Sequence, residues 1–248
     1  MKRTMLGVLG LALLTAGCAD TGSSGEFGRV LGDVLGAATT PASQGALTTA
    51  EIDAGLREAL TVGANIVASQ LGRTDGYYGD PKIRIPLPNT YRSIQSNLAK
   101  VGASGPLDDL ELRMNRAAEA AVPQAKQLIL GAIRDITIQD ALNILNGGDT
   151  AATDFLRAKT ETQLRAAFTP YARDALSQVG AFTAMESVAS QYGIGGITSS
   201  LQADLTTRTV DLGLDGIFLY VADQERQIRE NPLARTTDLL RRVFGNRA

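Results

Sequence analysis

Histidine is absent from this 248-residue sequence, and cysteine occurs once, at Cys18. The lack of histidine excludes Ser-His-Asp and Cys-His catalysis. It also excludes zinc sites built on His and Cys ligands and the Glu-x-x-His pairs of di-iron helical bundles. A lone cysteine rules out an intramolecular disulfide. Phosphate-binding glycine motifs are missing too, and Gly193-Ile194-Gly195-Gly196 follows no strand-fed turn. The stretch from Asp149 to Asp154 lacks the alternating acidic ligands of a calcium loop. Basic charge is not in surplus: 24 Lys and Arg face 26 Asp and Glu, a net charge of −2. That balance argues against a nucleic-acid partner and against a generally basic membrane-binding surface. None of these patterns calls for a cofactor. Carboxylates, arginines and hydroxyls remain as the chemistry-bearing groups.

The first 17 residues read as a secretory leader. Lys2 and Arg3 precede an apolar run from Met5 to Leu14, and Thr15, Ala16 and Gly17 lead into Cys18. That run is about half of the roughly 20 residues a membrane-spanning helix needs, so removal is expected rather than retention. Leu14-Thr15-Ala16-Gly17-Cys18 resembles the bacterial lipobox, in which the cysteine takes acyl chains of the palmitate type and becomes the new N-terminus. It departs from that pattern in having Thr15 where a leucine is usual. The plainer alternative is an ordinary leader cleaved nearby, with Cys18 incidental. Two or three acyl chains anchor stably where one is marginal. By the lipoprotein sorting rule of enteric bacteria, Ala19 after the cysteine favours the outer membrane. Loss of Lys2 and Arg3 with the leader shifts the net charge from −2 to −4.

Residues 18–46 read as a tether rich in Gly, Ser and Thr. Phe27, Val30, Leu31, Val34 and Leu35 recur at helical spacing, but Gly28, Gly32 and Gly36 interrupt the face. Each glycine costs about 1 kcal/mol relative to alanine, so any helix there is marginal. A single helical domain is expected over 47–248. Thr48 and Glu51 form a capping-box pattern ahead of an apolar stripe: Ile52, Leu56, Ala59, Leu60, Gly63, Ile66, Val67 and Leu71. Ile83, Ile85 and Leu87 alternate with polar residues and prolines, which predicts one short extended segment near 82–88. Further helices are predicted at about 89–101, 107–135 (bent or split at Pro123), 137–147, 150–167, 169–180, 182–191, 200–229 and 233–244. The fold class is therefore all-α, a bundle-like domain of about eight or nine helices.

Three groups of polar residues are candidate sites. Asn115 and Glu119 lie one helical turn apart with Arg116 between them, extended by Glu111 and Arg113. They form either a polar patch in a groove or a buried network that fixes helix register. Glu225 and Arg229 are an acid-before-base pair at the favourable i,i+4 spacing, and ion pairing is the plain reading. Asp75, with Tyr77 in the same turn, offers either a ligand to a hard cation or an Asx-turn bond to its own backbone. Asp140 supplies a helix start signal with Thr137. Arg235, Arg241, Arg242 and Arg247 make the C-terminal end basic, suiting either a helix C-terminus or an anionic lipid.

Several segments carry a family resemblance. They are Leu47 to Ile52 with Gly55 to Leu60, Asp75-Gly76-Tyr77, Ile83 to Pro88, Asn115 to Glu119, Thr137 to Ala141, and Glu225 to Phe244. In this order they resemble the bacterial envelope family known as domain of unknown function 4197. The resemblance implies a helical periplasmic domain, often lipid-anchored, and brings no reaction, ligand or catalytic residue with it.

The sequence thus supports first a non-enzymatic lipoprotein, in the periplasm on the outer membrane, that binds a protein partner or an amphiphilic ligand. That reading calls for an apolar pocket or an exposed groove. A carboxylate-based enzyme, metal-dependent in one form, is the alternative, and it needs Asp75, Glu119, Asp140 and Glu225 in one cleft. A purely structural interaction protein is the third reading, with a broad apolar patch and no pocket.

Overall fold

The capping box at Thr48 starts the first helix of the domain. The Glu51 amide donates to the Thr48 hydroxyl at 3.2 Å, and the Glu51 carboxylate accepts from the Thr48 amide at 2.9 Å. This computed structural model describes residues 47–177, 199–235 and 237–245. The leader, Cys18, the tether, the helix expected at 182–191, the Gly193–Gly196 stretch and Arg247 lie outside the described residues.

Seven α-helices occur among the described residues: α1 (Thr49–Leu71), α2 (Asn89–Ala99), α3 (Gly105–Arg134), α4 (Ile138–Asn146), α5 (Ala151–Ser177), α6 (Ser199–Glu230) and α7 (Asp238–Gly245). A 3-10 turn (Pro232–Ala234) joins the last two. The described residues are all-α, and their seven helices compare with the eight or nine expected for the whole domain, one of which, at 182–191, lies outside them. Pro170 was expected to separate two helices and instead lies inside α5. Its residue is exposed, while Phe168, Ala172 and Leu176 of the same helix are buried. Fully burying a large apolar side chain contributes about 1.5–3 kcal/mol. Several such anchors offset the roughly 3 kcal/mol of an interior proline. Pro123 sits in α3 in the same way, exposed between Val122 and Ala125, which are buried.

α3 is the central rod, packed along α5 and against α1 and α6; α1 also meets α4 and α7. Leu107, Leu110, Met114, Ala121, Ile129 and Ile133 give α3 its buried stripe. The stripe of α1 runs through Leu56, Ala59, Leu60, Ala64, Val67 and Leu71. Ile66 was placed on that face but is 44% exposed, because Ala64 and Val67 carry the period past it.

Two local expectations change. Asn89 is the first helical residue of α2 rather than its cap; Pro88 holds the cap position without a side-chain bond, and the helix stops at Ala99. No strand occurs among the described residues, and residues 84–88 are irregular backbone. Burial still alternates there, with Ile83, Ile85 and Leu87 inside and Lys82 and Arg84 exposed. No described helix is long and apolar enough to cross a membrane.

Candidate functional site

The loop between α1 and α2 is folded onto α3 by polar residues one turn apart on that helix, Glu111, Asn115 and Glu119. All three are buried. Glu119 accepts from the backbone amides of Tyr77 (3.0 Å) and Tyr78 (3.2 Å), and from Arg116 at 2.6 Å. Arg116 reaches on to the Asp75 carboxylate at 2.8 Å. The Asn115 amide takes the backbone of Ile85, accepting from its N–H at 2.8 Å and donating to its carbonyl at 2.9 Å. Glu111 accepts from Arg84 at 2.8 Å and from Gln95 at 3.0 Å. Arg84 also lies over the Tyr78 ring, 4.0 Å from its centroid.

α6 closes the other side of the loop. The Tyr77 hydroxyl donates to the Gly213 carbonyl at 2.6 Å, and Arg208 donates to the Pro86 carbonyl at 3.0 Å. Gly216 makes this approach feasible, because a Cβ there would lie 2.8 Å from the Tyr77 ring. Burial, with the Glu119 charge beside it, pushes the Tyr77 hydroxyl far above its ordinary pKa. Tyr220 donates to Asp80, and that bond, with burial second, pushes it up to about 12.

Asp75 adopts a left-handed backbone (φ 64°), and Gly76 after it lies against the end of α1, where a Cβ would be 2.4 Å from the Leu71 carbonyl oxygen. The expected Asx-turn at Asp75 is not what forms. Its side chain faces Arg116, and the Asx-type bond falls at Asp80, which accepts from the Lys82 amide at 2.9 Å.

Glu225 and Arg229 work at a different corner. The Glu225 carboxylate accepts from the amides of Ala152 and Thr153 at 2.9 Å each and from the Thr153 hydroxyl at 2.8 Å. It thereby caps the start of α5, where backbone amides and the helix dipole favour an anion. Arg229 bonds Glu225 at 2.8 Å and the Ile144 carbonyl near the end of α4 at 2.9 Å. Arg235 donates to the carbonyls of Ile228 (3.0 Å) and Arg229 (2.7 Å), closing the end of α6. Arg241 pairs with Asp238, and Arg242 with Glu51.

The candidate residues therefore separate into three places. Asp75, Tyr77, Asn115, Arg116 and Glu119 share the loop clamp; Glu225, Arg229 and Arg235 share the α4–α6 corner. Asp140 stands alone in the capping box of α4, exchanging bonds with Thr137 that lower its pKa, the side-chain bond ahead of the backbone bond. The four carboxylates named for an enzyme do not share one cleft. Arg57 is a structural residue that sequence reasoning missed: it caps the end of α3 through the carbonyls of Ile133 (2.8 Å), Arg134 and Ile136. Its only signal was an Asp53–Arg57 spacing that reads as an ordinary surface pair.

Among the described residues, every buried side-chain nitrogen and oxygen has a partner, and no cluster of three metal-ligating side chains occurs. The apolar gap between α1, α3 and α6 is packed down to about 10 Å³. Two larger concavities are grooves of mixed polarity. One, of about 250 Å³, runs between α3 and α5 past Gln127, Phe155, Lys159 and Gln163. The other, of about 310 Å³, lies between residues 82–86 and α6.

A family model described as a protein of unknown function, DUF4197, matches residues 46–245, a span that holds all seven helices. The chain belongs to this family. Neither a curated protein nor a solved structure matches it. The matched span of this DUF4197 chain takes in the loop clamp and the α4–α6 corner alike.

Proposed function

We propose that the chain is a non-enzymatic lipoprotein of the periplasm, tied to the outer membrane through Cys18, whose helical domain binds an envelope partner or an amphiphilic ligand. The observation that carries this reading is the use made of the buried carboxylates. Glu119 and Glu225 each spend their oxygens on two backbone amides and a guanidinium. A carboxylate so committed holds structure; to act as a base it would have to release those bonds. The clamp holds the loop as a rigid rim beside α6, and a preorganised rim lowers the ordering cost of binding. The basic leader start, the short apolar run and the single cysteine support the anchor.

Mass spectrometry tests both halves. The chain purified from membranes is expected to lack residues 1–17 and to carry acyl mass on Cys18. A Cys18→Ser chain, examined in its native state, is expected to retain a lipid, a metabolite or a protein partner. A free Cys18 thiol would refute the anchor, and a stoichiometric divalent ion would favour the enzyme.

A further inference from the structure

The groove between residues 82–86 and α6 carries positive charge that the fold leaves uncommitted. Lys82, Arg84 and Pro86 form one wall, and Arg208, Leu212 and Leu219 the other. Three cations thus meet a single lining acid, Asp215, in a chain whose acids outnumber its bases. Asp215 is itself paired with Arg157 at 3.0 Å. Arg84 is balanced by Glu111 at 2.8 Å, and the nearby Asp80 is held by the Lys82 amide and the Tyr220 hydroxyl. Arg208 spends one donor on a neutral carbonyl, that of Pro86. Its remaining charge and the exposed Lys82 ammonium enter no salt bridge among the described residues. Beside them Leu219 is 40% exposed.

We propose that this groove takes the headgroup of an anionic phospholipid. The phosphate lies between Lys82 and Arg208, and the carbons nearest the glycerol lie against Leu212 and Leu219. Charge complementarity selects an anion, and the exposed leucine beside the cations selects one joined to apolar carbon. Size fits that choice. About 310 Å³ is at the lower limit of small-molecule sites and gives room for one headgroup. This deepens the function proposed above and rests on it for the source of the lipid. A tethered domain meets the bilayer surface at high effective concentration, so a weak contact is enough.

The test is co-sedimentation of the mature chain carrying Cys18→Ser. The vesicles are phosphatidylcholine alone, or equal parts phosphatidylcholine and phosphatidylglycerol. Binding is expected only to the anionic vesicles and is expected to weaken with salt. One lysine near such a surface is worth about fivefold, so Lys82→Gln should cost about that and Lys82→Glu about 25-fold. Lys82 is exposed, so neither change threatens folding. Lys159→Glu makes the same charge change in the other groove and should leave the affinity unaltered. Equal binding to both vesicles, an equal loss in Lys159→Glu, or an acidic protein held at Lys82 in place of vesicles would overturn the proposal. Because the chain tested is unacylated, such failure is distinct from failure of lipidation at Cys18.

Discussion

Asn115 stands where a neighbouring strand would stand for Ile85. Its side-chain amide accepts from the Ile85 N–H at 2.8 Å and donates to the Ile85 carbonyl at 2.9 Å, while also donating to the Glu111 carbonyl at 2.8 Å. Both residues have no solvent exposure. An unsatisfied buried backbone group costs about 1–3 kcal/mol. Asn115→Ala should therefore destabilise the domain by roughly 2–4 kcal/mol, from two orphaned groups partly re-solvated. Urea unfolding checks this, and a loss below about 1 kcal/mol would contradict the pairing.

Glu225 and Arg229 are a buried pair, their side chains 5% and 12% exposed. Glu225→Ala leaves the guanidinium and the first amides of α5 without their acceptor and should cost about 3–5 kcal/mol. Replacing both residues with apolar ones of similar size should cost less than the sum of the two single changes, because no uncompensated charge remains although the α5 amides stay uncapped. A double variant whose loss equals or exceeds that sum would argue against this account.

Tyr77 and Tyr220 are expected to titrate late. Their folded pKa values lie above the ordinary 10, so the neutral hydroxyls contribute stability fully below pH 10 that is lost as the pH rises through the folded values. Ultraviolet titration should show Tyr220 ionising near pH 12 and Tyr77 only as the protein unfolds. Tyr220→Phe should remove part of the alkaline loss.

The acid limb comes in part from the capping boxes. Glu51 and Asp140 are held below their ordinary values of 4.5 and 3.8 by bonds to Thr48 and Thr137. Their contribution is complete above those values and is withdrawn as pH falls through the lowered ones. Thr137→Val removes the side-chain bonds, so the stability of that variant should fall less steeply below pH 4 than the parent's.

Much of this was legible from the residues. Helix starts at Thr49 and Ile138 follow from local capping chemistry, which needs no tertiary information. The joint role of Asn115 and Glu119 was legible as a shared face. What they hold was not, because Tyr77 and Ile85 lie about 30–42 residues away and are met only through folding. The alternation at 83–87 was read as extended chain, since period-two burial is what a strand shows; here a side chain replaces the neighbouring strand. Pro170 misled for the opposite reason, its local cost being outweighed by the buried face of α5. The corner built by Glu225 was read only as an ion pair with Arg229, because sequence spacing does not reveal the start of α5 beside it.

The claim on which the account rests is that Glu119 is building material for the loop. Amide hydrogen exchange at Tyr77 and Tyr78 tests it most directly. Both amides should exchange as slowly as those in the centre of α3, and in Glu119→Ala they should become fast while α5 stays protected. Fast exchange in the parent protein, or protection unchanged in Glu119→Ala, would contradict the account and return Glu119 to the groups free for chemistry.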